Sequence, residues 1–247
     1  MVDKKYINSF IKKIYEGIIN PENLIGARKL FKATVKKLNE GVKIGGVGGS
    51  KDLINELKDN VYIFSGAKTY TQVKDISSLI VENGKLVPYN VFKKAALQKF
   101  ELYNVDYLSA EYETAIGQAQ SAVKWQQIVK DAELFPYLQR KAVMDANTSP
   151  ECAILNDIIA PIGDPFWRTR SPLTHFRCRC ILTAIDKYAD VKLSSKATIS
   201  RAMERTDNIN PVFKGNPGID KVVFNKSHPY FDIEPKDKKL AKRNFDL

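Results

Sequence analysis

All three cysteines of the chain and one of its two histidines fall inside a single stretch, Asn147 to Leu182. Cys152, His175, Cys178 and Cys180 read Cys-x22-His-x2-Cys-x-Cys. Thiolate and imidazole are preferred zinc ligands, and a structural site takes four of them in a tetrahedron. The set is therefore sufficient for one zinc ion. Cys178 and Cys180 are closer than the usual knuckle pair, but on an extended segment residues i and i+2 share a face. Both thiols then point inward while Arg177 and Arg179 point outward. Two other readings use the same residues. The cysteines can serve as small buried hydrophobes, with His175 bonded to a backbone carbonyl. A Cys–His nucleophilic pair would need a third group to orient the imidazole, for which Asp157 and Asp164 are candidates, yet nothing marks one thiol as activated. A zinc-stabilised nuclease would want a second histidine or a carboxylate set, and His228 is the other histidine. No catalytic residue is predicted.

The elements that must position this cluster are read from pattern. Asp164-Pro165-Phe166-Trp167, followed by Pro172, predicts a rigid, extended loop anchored by large apolar rings, because proline restricts the backbone and Phe and Trp bury much area. It would brace the segment carrying His175 to Cys180. Upstream, Tyr6, Phe10, Ile11, Ile14, Tyr15 and Ile18 share one helical side over residues 3–19, stopped by Asn20-Pro21. Further helices are predicted at about 22–39 (with Gly41 as a cap), 50–59, 67–82, 89–104 and 107–131. Trp125 near the end of the last is read as a core anchor. Gly45 to Lys51 lacks the Gly-Lys-Ser/Thr ending of a phosphate loop and reads as a flexible connection.

Beyond about residue 132 short strands are predicted at 134–138, 141–144 and 222–224, with one helix at 196–205. The predicted class is α+β, with three parts. Residues 1–131 form a helical, partner-binding part. Residues 132–190 form a small α+β module with the Cys/His cluster. Residues 191–247 form a polar extension ending in a basic tail from Lys236 to Asn244.

Composition narrows the partners. The chain has 247 residues, of which 44% are hydrophobic and 27% charged. That is ordinary globular usage. Its net charge of +11 favours an acidic partner such as nucleic acid, or is a solvated lysine-rich surface. No apolar run approaches the roughly 18 residues of a membrane span. The start, MVDKKYINSF, lacks the apolar core of a signal peptide. A cytoplasmic site of synthesis is expected, where three cysteines argue for free thiols or metal ligands rather than disulfides.

Cys152-Ala-x-Leu, then Asp164-Pro-Phe-Trp, then Pro172-x2-His175-x2-Cys178-Arg-Cys180 resembles the signature of the phage Mu protein F-like, or phage head morphogenesis, family of minor head proteins. The segment from Tyr103 to Trp125, the N-terminal helix pair and Ser227-His-Pro-Tyr-Phe231 are similar to versions from Bacteroidetes and their phages. Ser149 departs from members with a Cys-x2-Cys pair, Asn156-Asp157 from the usual Asp/Asn-Gly, and Ser171 from a Pro-Pro pair. The resemblance implies a non-enzymatic virion protein acting in head morphogenesis. It would bind the portal and capsid or scaffold proteins and lie in the head interior near packaged DNA, with the host cytoplasm as the place of assembly. Phosphate contacts by its basic side chains would be sequence-independent. The rival reading is a zinc-stabilised nucleic-acid-binding protein or nuclease built on the cysteine–histidine cluster.

Overall fold

The computed structural model describes residues 2–237; the basic tail beyond Asp237 lies outside the described residues. Helices predominate and the sheets are small and antiparallel, so the class is α+β, as expected. The chain divides into two compact units, each discontinuous in sequence. The first takes Met1–Glu40, Asp59–Tyr112 and His228–Leu247; the second takes Gly41–Lys58 and Glu113–Ser227. The stretch 132–190 lies wholly within the second unit.

In the first unit α1 (Lys4–Tyr15) begins at Asp3, whose carboxylate accepts from the Tyr6 amide at 2.8 Å. Such a side chain satisfies an amide that the first turn leaves without a partner. The helix ends earlier than predicted. Gly17 adopts φ +71, and the amides of Gly17 and Ile18 turn back to the carbonyls of Ile14 and Lys13. This is a left-handed stop that precedes the proline. Ile18 is consequently exposed. Helix α2 (Arg28–Gly45) runs on through Gly41, the predicted cap. Residues 50–59 and 67–82, predicted as two helices, belong largely to one helix, α3 (Lys51–Ser77). Ser65 and Thr69 lie within it, and their hydroxyls bond back to the carbonyls of Val61 and Ser65, each at 2.8 Å. Bonded in that way, they do not compete for the helix's own amides. Asn83 and Gly84, both with positive φ, turn a two-residue hairpin between β1 (Val81–Glu82) and β2 (Lys85–Leu86). Helix α4 (Tyr89–Glu101) passes through a π-helical turn, Leu102–Tyr107, into α5 (Leu108–Lys130). The core gathers Phe10, Ile14, Phe31, Tyr70, Phe92 and Phe100.

In the second unit β3 (Tyr137–Lys141) is the central strand of a three-stranded antiparallel sheet, between β4 (Ile159–Pro161) and β5 (Ile181–Ile185). The extended segments predicted at 134–138 and 141–144 are thus corrected to one strand over Tyr137–Lys141, and 134–136 and 142–144 lie outside any strand. Two short helices, α6 (Pro150–Leu155) and α7 (Phe166–Thr169), precede and follow β4 in the chain. The helix predicted at 196–205 is α8 (Lys196–Arg205), capped by Ser195. Val222–Phe224 is not a strand, although Val223 and Phe224 are buried. The core holds Trp125, Leu138, Leu155, Phe166 and Trp167. Trp125 is the core anchor expected of it. A side chain on Gly218 would collide with it, the ideal Cβ falling 2.3 Å from the Trp125 Cβ.

The glycine-rich stretch is no loose connector. A Cβ on Gly45 would lie 2.1 Å from the Ile116 carbonyl oxygen, and one on Gly49 2.8 Å from Val123. Ser50 exchanges two hydrogen bonds with Gln126. These glycines let the end of α2 press backbone to backbone on α5.

Candidate metal centre

Cys152 sits in the first turn of α6, where the Ser149 hydroxyl accepts from the Cys152 amide at 3.2 Å. Pro150 opens the helix with its φ already suited to the first position. Ser149, which departs from the Cys-x2-Cys pattern, is thus the cap that fixes Cys152. The opposite wall is the segment entering β5. Cys178 and Cys180 are buried, whereas Arg177 and Arg179 are exposed. Arg177 pairs with Glu113 at 2.8 Å and Arg179 makes a two-pronged pair with Asp145 at 2.7 Å. The alternation holds although Arg177 itself has φ +60 and the segment becomes a strand only at Ile181.

The three thiols converge. The Cys152 sulfur lies 3.1 Å from that of Cys180 and 3.7 Å from that of Cys178, and all three fall within 4.8 Å of one another. Hydrogen bonds from the Cys178 and Cys180 thiols, in that order, lower the pKa of Cys152 against the opposing effect of burial. Cys180, the donor to Cys152, is raised correspondingly, with burial adding to the effect.

His175 is not a full member of this set. Among the described residues its Nε2 is bonded to the Cys152 sulfur, at 3.3 Å, and the mutually close group consists of the cysteines. The expected cysteine–histidine cluster is therefore a cysteine cluster with a histidine at its edge. The residue is half-buried at a bend, and its Nδ1 is bonded to the Phe176 carbonyl at 2.7 Å. A carbonyl only accepts, so Nδ1 carries a proton, and in the neutral ring that leaves the lone pair on Nε2, on the side of the sulfur.

Arg140 on β3 belongs to the site although no motif in the sequence points to it. It has a relative exposure of 0%. Its guanidinium donates to the Arg170 carbonyl at 2.7 Å and to the Thr174 hydroxyl at 3.2 Å, and it reaches the Cys152 sulfur at 3.9 Å. Its Nε has no partner among the described residues. Thr174 also contacts the sulfurs of Cys152 and Cys178, at 3.4 and 3.8 Å. Arg140 makes no ion pair with a carboxylate among the described residues. Arg170, also buried, does find one, Asp207 at 3.7 Å, and donates to the Met203 carbonyl near the end of α8. A cation there also meets the negative end of the helix dipole.

The Asp164–Trp167 segment is not the extended loop expected of it: it turns into the short helix α7, whose rings pack into the core with Leu138 and Leu155. Phe166 and Trp167 are fully buried on α7 with ring centroids 4.8 Å apart. The Trp167 indole donates to the Pro161 carbonyl at 2.9 Å, and Asp164 accepts from the Phe166 amide at 2.9 Å. Pro172 is buried beside Leu173, which packs against the thiols. An open groove of about 940 Å³ runs along α5, and Cys178, Cys180 and Pro172 help to line it.

His228, the second histidine, belongs to the first unit, against the rings of Phe64 and Tyr230. Burial, then the Lys68 charge, lowers its pKa to about 4. Lys68 and Glu111 form a buried ion pair of 2.5 Å there. Burial lowers the pKa of Lys68 and raises that of Glu111.

A family model described as Phage Mu protein F like protein matches residues 36–183, well over half of the chain. The chain belongs to the Phage Mu protein F like family. The match takes in Arg140, His175 and all three cysteines, so the resemblance read from the motifs is borne out. One relative is the "Putative capsid assembly protein F" of Escherichia phage Mu, 27% identical over 135 residues. That similarity covers 55% of this chain and 30% of the phage Mu protein, so the chain spans under a third of the relative's length. No solved structure matches the chain. Among the described residues no helix is long and apolar enough to cross a membrane.

Proposed function

We propose that this chain is a structural protein of phage head morphogenesis, a minor head component that binds the portal and lies in the virion head close to packaged DNA. The observation that carries the reading is membership of the Phage Mu protein F like family, joined to the similarity to a phage Mu protein named for capsid assembly. The net charge of +11 suits a protein sharing a capsid with DNA. It would contact that DNA through phosphates without reading sequence. The proposed role is non-enzymatic.

Co-expression with the portal protein encoded in the same phage or prophage tests the reading. Co-purification, and recovery of the chain in procapsids or virions, is expected. Absence from both particles would contradict it. Binding to DNA is expected to weaken steeply and uniformly across sequences as salt rises. Metal-dependent cleavage of plasmid DNA, lost in His175→Ala, would instead establish the nuclease reading.

A further inference from the structure

We infer that the thiol cluster is a zinc centre of three thiolates and one imidazole, and that Arg140 is the buried cation that balances its charge. Cys152, Cys178 and Cys180 supply the sulfurs and His175 the nitrogen.

Geometry is the first support. A tetrahedron with Zn–S bonds of about 2.3 Å sets its sulfurs about 3.8 Å apart. The Cys152–Cys178 separation of 3.7 Å meets that, and the 3.1 Å to Cys180 lies inside it. The side chains come from two elements, α6 and the segment before β5, so one ion would tie them together.

The second support is independent and concerns charge. Arg140 is fully buried, its Nε is unpartnered among the described residues, and the groups within its reach that can carry negative charge are sulfurs rather than carboxylates. A guanidinium cannot shed its proton in a protein, and an unpaired buried charge is strongly disfavoured. Three neutral thiols give it no counter-charge. A divalent zinc ion binding three thiols and a neutral imidazole displaces three protons and leaves a centre of net charge −1, which one arginine neutralises. Thr174 links the two, receiving a hydrogen bond from Arg140 while contacting two of the sulfurs.

The third support is the tautomer of His175. Its Nδ1–H is committed to the Phe176 carbonyl, which leaves Nε2 as the donor atom on the side of Cys152. That arrangement is common to metal-ligating histidines.

The test uses the full chain purified under reducing conditions from zinc-supplemented culture. One zinc per chain is expected. Replacement by Co²⁺ should give the intense thiolate-to-cobalt charge-transfer absorption and the visible bands of a tetrahedral ion. Cys178→Ser should weaken the charge-transfer absorption, and His175→Ala should alter the visible bands while keeping it. Arg140→Met should weaken metal binding by about 10–100-fold, with Arg140→Lys closer to the parent. Thr174→Val perturbs the same link without removing the charge and should weaken binding less, so the idea stays testable if Arg140→Met does not fold. A chain without stoichiometric zinc or a cobalt spectrum, in which Cys152 alone is rapidly alkylated, would overturn the centre in favour of a lone thiolate facing Arg140. An unchanged cobalt spectrum in His175→Ala would overturn the fourth ligand. Metal affinity unchanged in both Arg140→Met and Thr174→Val would overturn the counter-ion.

Discussion

Each unit of the molecule buries a cation, and the two solve the resulting problem differently. In the first unit Lys68 on α3 meets Glu111 on α5 at 2.5 Å, so the anion is written into the chain 43 residues away. In the second unit Arg140 on β3 is just as buried, but no carboxylate pairs with it among the described residues, and three thiols stand in its neighbourhood. A lysine–glutamate pair is a closed electrostatic unit. An arginine beside thiols is closed only when the sulfurs carry charge, and a divalent metal is the usual means of ionising several thiols at once. On the proposed zinc centre, the first unit's buried polar centre is architecture and the second unit's a site completed from outside.

The largest effect should come from breaking the closed pair. Lys68→Met leaves Glu111 buried without its partner and should cost about 3–5 kcal/mol in urea unfolding, whereas Lys68→Met with Glu111→Leu should recover most of that loss. A single variant as stable as the parent would show that the pair is not the ionic unit described. The corresponding experiment in the second unit depends on metal. Arg140→Met should be destabilising in the metal-loaded protein by about 1.4–2.7 kcal/mol, the equivalent of a roughly 10–100-fold loss of affinity. In chelator-treated protein it should be neutral or stabilising, because the uncompensated charge is gone. A Lys68→Met penalty that did not respond to chelation, beside an Arg140→Met effect that changed sign, would sharpen the contrast.

A smaller effect is expected from pH. His228 in the first unit has its pKa lowered from 6.5 to about 4, by burial and then by Lys68. The unfolded chain takes up that proton first. This contribution to stability is therefore complete above about pH 6.5 and is lost as pH falls toward 4. Unfolding curves at pH 7 and pH 5 should differ by less in His228→Gln than in the parent. The smallest effect belongs to the exposed guanidinium groups flanking the thiols. Arg179→Ala removes the pair with Asp145, which is solvated, and should change neither zinc content nor stability measurably.

How much of this is legible in the sequence depends on the range of the interaction. The thiol-bearing stretch, the burial of Phe166 and Trp167, the core role of Trp125 and the α+β class all follow from local pattern, and the motifs point to the family that the comparison establishes. Arg140 is not legible in that way. Breaking the strand between Leu138 and Lys141 hides the period-2 alternation that places Leu138 and Arg140 on the same inner face, a pattern evident once β3 is continuous. Lys68 is hidden for another reason. In a lysine-rich helical chain nothing local separates a buried lysine from solvated ones, and its partner is distant in sequence. The glycines at 45–49 mislead in the same way, since close backbone approach and flexibility call for the same residue.

X-ray absorption at the zinc edge of the purified full chain tests the proposed centre most directly. The expected result is a first shell of three sulfurs at about 2.3 Å and one nitrogen at about 2.0 Å. A shell of oxygen and nitrogen alone, or the absence of stoichiometric zinc, would contradict it.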